Sequence, residues 1–96
     1  MKMYDAGQFE EAAKLFKTLG NPMRLAIIEA LHNRSYCVCE LAEQLGMHKS
    51  ATSKHLSLLN QLGVISMERE GTRVNCILKM TCVLEMLHCA VPPRKE

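Results

Sequence analysis

The sequence predicts a mainly α fold with a β-hairpin wing, in the order α-α-α-α-β-β-α: a winged helix-turn-helix. Three observations carry that expectation. A short helical pattern over 37–45 and a longer one over 49–62 are separated by Gly46, which is the spacing of two helices joined by a tight turn. Two alternating runs follow, over 64–69 and 72–79, joined at Glu70-Gly71 as a hairpin. Two further amphipathic segments, one at each end, are left over once that unit is assembled.

Residues 1–7 read as a loose arm. Phe9, Ala12, Ala13, Phe16 and Leu19 then recur at the i, i+3, i+4, i+7 spacing of an amphipathic helix over 8–19, with Glu10, Glu11, Lys14 and Lys17 on other faces and Gly20 as its stop. Asn21-Pro22 starts the second helix, because Asn caps free N–H groups and Pro fits the first helical position. Leu25, Ile28 and Leu31 form its stripe, broadened by Ile27, before the polar break Asn33-Arg34-Ser35. In the third helix Val38, Leu41, Ala42 and Leu45 point inward, and Gly46 supplies the backbone freedom its end needs. The fourth turns Leu56, Leu59 and Leu62 inward, with Leu58 beside them, and stops at Gly63; His48 leaves its start between 48 and 50. In the second strand Val74, Cys76 and Leu78 alternate with Arg73, Asn75, Ile77 and Lys79. Thr81 caps a last helix running to Val91, Pro92-Pro93 ends it, and Arg94-Lys95-Glu96 is a charged tail.

Ninety-six residues make one domain over 1–96, with a hydrophobic share of 48% that is too high for disorder. A core this small is commonly enlarged by dimerisation, which suits the two spare helices at 8–19 and 81–91. With no Trp, two Phe and two Tyr, the core falls to aliphatic residues and to seven adaptable Met. The N-terminus has no apolar stretch of a secretion signal and no run reaches a membrane span, so the expectation is a soluble, cytoplasmic protein without a membrane partner. Five cysteines, an odd number in such a chain, then point to metal binding or redox sensing rather than to a disulfide framework.

The net charge is only +2, so placement matters more than total. Lys49, Ser50, Thr52, Ser53, Lys54 and His55 lie near the start of the fourth helix, where a groove-entering helix presents side chains to bases and phosphates of double-stranded DNA. Arg69 and Arg73 flank the wing turn and reach for backbone or minor groove. Cys37 and Cys39 stand at the start of the third helix, where the N-terminus favours the thiolate that binds soft metals. Residues two apart diverge on a regular helix, so convergence on one ion requires the first turn to open. That deformation would shift the helix that follows. Cys82 and Cys89, seven apart, share a face of the last helix and are the candidates for a third thiolate; Cys76 reads as a core residue of the wing. His32 suits a helix C-terminus, and the remaining Met read as packing.

The segments LFKTLGNPMRLAIIEAL, CVCELAEQLGMHKSATSKHLSLLNQLGVI and EREGTRVNCILK together resemble the ArsR/SmtB family of bacterial metal-responsive repressors over about residues 9–80. Cys37-Val-Cys39-Glu-Leu resembles the thiolate motif of its arsenic- and cadmium-sensing branches. The resemblance implies a homodimer that represses when ligand-free and leaves its operator when an inducer binds: As(III) or Sb(III) first, with Cd(II), Pb(II) or Zn(II) as alternatives. Ala42 stands where the arsenic sensors carry a third Cys, residues 1–36 contain none, and Cys82, Glu85, His88 and Cys89 do not match the zinc pairs. A persulfide- or redox-sensing repressor of the same fold is the other reading of the thiols. A thiol oxidoreductase would need Cys-X-X-Cys on a βαβ scaffold, and the chain has neither.

Overall fold

The computed structural model describes residues 3–92, so the expectations for Met1, Lys2, Pro93 and the charged tail lie outside the described residues. The element order is α1 (Ala6–Leu19), α2 (Pro22–Asn33), β1 (Tyr36–Cys37), α3 (Val38–Leu45), α4 (Lys49–Gln61), β2 (Ile65–Glu70), β3 (Arg73–Leu78) and α5 (Cys82–Ala90). It is the expected winged helix-turn-helix with one strand added. β1 pairs antiparallel with β3, placing Tyr36 opposite Cys76 and Cys37 opposite Asn75, so the sheet runs β1-β3-β2. Two residues are too few for an alternation to show in sequence, which is why β1 escaped the reading.

β3 is therefore a central strand. Cys76 is fully buried, and Asn75 and Ile77, on the alternate face, are half-buried like Val74 and Leu78. The turn between β2 and β3 is Gly71-Thr72, one residue later than expected, because Glu70 still pairs with Arg73. Gly71 has φ +65°, a left-handed value that a side chain there would strain.

α1 starts earlier than its apolar pattern suggested. The Gln8 N–H donates to Asp5 Oδ1 and the Asp5 N–H to Gln8 Oε1, each at 2.9 Å, a reciprocal cap that brings Ala6 and Gly7 into the helix. Asn21 caps α2 as expected, accepting from Met23 and Arg24 N–H. Gly46 is left-handed at φ 64°, and Met47 N–H returns to Ala42 O at 2.9 Å, which turns the chain sharply into α4. Thr81 makes no side-chain cap, contrary to expectation; it sits in helical conformation itself. The entry to α5 is held instead by Lys79 and Met80 N–H on Val64 O.

Ile27, Ile28 and Leu31 of α2 meet Leu41, Leu56, Leu59, Val64, Ile65, Cys76, Val83 and Leu84 in one buried cluster. Each large aliphatic side chain buried there is worth about 1.5–3 kcal/mol. α1 contributes little to it: Leu19 is buried and Leu15 half-buried, but Ala12 and Ala13 are exposed, and Phe9 and Phe16 are 61% and 58% exposed. The stripe that predicted the helix is thus real, yet most of it faces away from the protomer's own core. Among the described residues no helix is long and apolar enough to cross a membrane.

Candidate nucleic-acid interface and thiol site

α4 begins at Lys49 with His48 at the cap position, where the imidazole makes no capping bond. The start is held from inside: Thr52 Oγ1 and Thr52 N–H both donate to His48 O, at 2.9 and 3.0 Å. Thr52 is fully buried, so its hydroxyl serves the helix start and is withdrawn from the expected DNA-facing set. Lys49, Ser50 and Lys54 are exposed, and Ser53 is half-buried. Those four form the polar face of the helix start, and lysines with small hydroxyls are what a groove-entering helix uses on phosphates and base edges.

His55, also expected on that face, is held from α2. Arg24 Nε donates to His55 Nδ1 at 3.1 Å, while Arg24 Nη1 donates to Thr18 O at 3.0 Å. An accepting Nδ1 requires the neutral ring. Burial pushes the His55 pKa down, and the Arg24 charge pushes the same way.

Arg69 and Arg73 are exposed beside the wing turn. Arg69 makes no ion pair among the described residues, whereas Arg73 Nη2 lies 3.1 Å from Glu40 Oε1. Glu40 also takes Arg34 Nη2 at 3.3 Å and accepts from the Cys37 N–H at 3.0 Å. The Cys37 N–H is the largest cause holding the Glu40 carboxyl below the usual range, followed by the Cys37 thiol; loss of water opposes it, and Arg34 adds to the lowering. Glu40 is the functional candidate that the sequence reading passed over. Its signal was present: an acid three residues after a cap position is the capping-box spacing, here with Cys37 where Ser or Thr usually stands.

Cys37 closes β1 and caps α3, with 8% of its surface exposed; Cys39, two residues on, is exposed. Both border a cleft of about 530 Å³ that Lys49 and Ser53 of α4 and Met67 and Arg73 of the wing also line. The thiols and part of the face expected to meet DNA therefore open onto one space. Cys76 lies beneath, its thiol pushed up to about 11 by burial and, secondarily, by the neighbouring Cys37. It is the core residue expected.

Cys82 and Cys89 are exposed on α5, which packs against α2. His88 on that helix meets Glu29 Oε2 at 2.8 Å and stacks edgewise on His32, with centroids 6.0 Å apart. Among the described residues, no three potential metal ligands converge within one protomer. The chain thus brings together Cys37 and Cys39 and leaves Cys82 and Cys89 apart from them.

A family model for bacterial regulatory proteins of the arsR family matches residues 21–67, which span α2 through the first half of β2. The cadmium resistance transcriptional regulatory protein CadC of Listeria innocua is 33% identical over 82 residues, covering 84% of this chain and 69% of that one. The crystal structure of the antimony-specific transcriptional repressor AntR superposes with a TM-score of 0.78 at 30% identity, over 93% of this chain and 81% of that one. The homodimeric winged helix-turn-helix DNA-binding domain Mb0332 of Mycobacterium bovis superposes at 0.79 with 26% identity, over 93% and 85%.

Proposed function

Because the chain belongs to the ArsR family of bacterial transcriptional regulators, DNA-binding proteins rather than enzymes, we propose that it is a cytoplasmic homodimeric repressor released from its operator by a thiophilic ion held on cysteine thiolates. As(III) or Sb(III) is the favoured inducer, and Cd(II), Pb(II) and Zn(II) are the divalent alternatives. The observation that carries this reading is the shared cleft: Cys37 and Cys39 border the same space as Lys49, Ser53 and Arg73. Ligand chemistry there is felt directly by groups that touch DNA.

The donor set fits a soft ion in part. Two thiols stand at a helix start, but a trivalent metalloid takes three sulfurs, and among the described residues of the protomer no third donor joins them. Cys82 and Cys89 remain the proposed source, reached through the dimer. That dimer is supported by the exposed apolar side chains of α1 and α5, Phe9, Phe16 and Met86, and by the homodimeric neighbour. Lys49, Ser50, Ser53 and Lys54 contact the major groove, and Arg69 and Arg73 follow the backbone beside it.

The deciding experiment uses reduced protein and an operator duplex that it selects from a random pool. DNA affinity is followed while arsenite, antimonite, Cd(II), Zn(II) or a persulfide donor is titrated. Release by arsenite or antimonite that disappears in Cys37→Ser and Cys39→Ser supports the proposal. Release by the persulfide donor alone would replace it with a redox sensor of the same fold. Failure to select any duplex would remove the DNA-binding role. Cys82→Ser and Cys89→Ser, tested beside these, identify the third sulfur.

A further inference from the structure

We propose that Glu40 is the positioning residue that couples the Cys37/Cys39 thiols to the wing, because one carboxylate grips the Cys37 backbone N–H and the Arg73 guanidinium together. The inference rests on the thiol-sensing reading above and adds to it a route by which ligand binding reaches DNA.

The geometry supplies each link. Glu40 Oε1 accepts from the Cys37 N–H at 3.0 Å and from Arg73 Nη2 at 3.1 Å, so one oxygen joins the sensor backbone to β3. Arg34, from the turn after α2, holds the same carboxylate at 3.3 Å and lies over the Tyr36 ring at 4.1 Å. Glu40 is thus fixed from the helix it stands on, from the strand before it and from the wing. Its bond to Cys37 exists only while the first turn of α3 is wound, since it spans three residues of that turn.

Drawing the Cys37 and Cys39 sulfurs onto one atom requires that turn to open. Opening it carries the Cys37 N–H away from the carboxylate and turns Glu40 off the line to Arg73. Arg73 then loses the anchor that sets its direction beside the wing turn. The backbone pairing of Cys37 with Asn75 transmits the same displacement to β3. The exposed salt bridge itself contributes little to stability. Its role is to give the wing one position when the thiols are free and none when they are bound.

Phenylarsine oxide is the probe, because it needs only two sulfurs. Its oxygen leaves as water with the two thiol protons, two As–S bonds form, and nothing is oxidised or reduced. The measured quantity is the ratio of operator Kd with and without saturating probe, with uptake per protomer read by mass spectrometry. For the wild type the ratio is expected within the ~5–150-fold span of typical allosteric coupling. For Glu40→Gln uptake should stay at one per protomer while the ratio falls to about threefold or less. A merely structural Glu40 would lower the melting temperature and both affinities but leave the ratio at its wild-type value, and that result overturns the inference. Should Glu40→Gln fail to fold, Glu40→Asp keeps the charge but cannot span both partners; the same fall in ratio is expected, and a wild-type ratio overturns the inference. A wild type that takes up no probe, or takes it up without weakening on DNA, overturns the thiol-sensing reading itself.

Discussion

Arg24 Nε donates to His55 Nδ1 at 3.1 Å, and that bond joins α2 to α4. It ties α4 to the core through the ring's Nδ1. His55→Ala leaves the guanidinium short of one acceptor, so a loss of about 1 kcal/mol is expected from urea unfolding at pH 7.5. The acid dependence has a definite sign. Because the folded-state pKa of His55 is lowered from 6.5, the unfolded chain takes its proton first, and stability falls as pH drops below 6.5 towards the folded value. His55→Ala should flatten that part of the stability–pH curve. An unchanged slope would show that the ring is not held neutral.

Thr52 and Lys54 sit two residues apart on α4 and should separate stability from recognition. Thr52→Val keeps the shape but loses the bond to His48 O, at a cost of about 1 kcal/mol in unfolding, with the salt dependence of DNA binding unchanged. Lys54→Ala should leave the melting temperature alone and weaken DNA binding, lowering the slope of log K against log salt by about 0.9 if it neutralises one phosphate. The opposite assignment of effects would mean that α4 is rotated on the core, with Thr52 outward and Lys54 inward.

Cys76 should be the slowest thiol. It is fully buried with its pKa pushed up to about 11, so iodoacetamide at pH 8 should modify Cys39 rapidly and Cys76 only after unfolding, as read by peptide mass spectrometry. Its linkage runs against alkali. The folded thiol stays protonated while the unfolded one ionises, so its contribution is intact below pH 9.0 and is lost as pH rises towards 11. Cys76→Ser buries a hydroxyl in the same place and should cost about 1–3 kcal/mol if it finds no acceptor. Fast labelling of Cys76 in the native protein would show that β3 is not a covered central strand.

Phe16→Glu tests the proposed dimer. The ring is 58% exposed on the protomer, so the change should leave the protomer folded by circular dichroism. It should also shift the sedimenting species from dimer to monomer and abolish operator binding, because two half-sites need two reading helices in fixed relation. A Phe16→Glu protein that remains dimeric would place the interface elsewhere.

Much of the architecture was legible because it is written in local chemistry. Asn21-Pro22 starts α2, Gly46 turns the chain into α4, and the helical spacing of Val38 with Leu41 on α3 and of Leu56 with Leu59 on α4 marks faces that carry the buried Leu41, Leu56 and Leu59. Cys37 and Cys39 are legible as a pair because only Val38 separates them in the chain. Local residue patterns account for the helices, the hairpin, the position of the thiols at a helix start and the excess apolar face on α1. Each depends on residues within a few positions of one another.

The remaining features arise from contacts between segments far apart in the chain. Two-residue β1 exists because β3 is beside it, and the half-buried faces of β3 follow from that third strand. Thr52 Oγ1 goes to His48 O and is buried, and His55 Nδ1 goes to Arg24, which lies 31 positions away in sequence. Glu40 and Arg73 are 33 apart in sequence, so their meeting depends on how the sheet and α3 pack. The physical reason is the same in each case. A side chain's polar atoms go to whichever partner the folded chain brings within 3 Å, and spacing along the chain says nothing about a partner that arrives through the sheet or across the core.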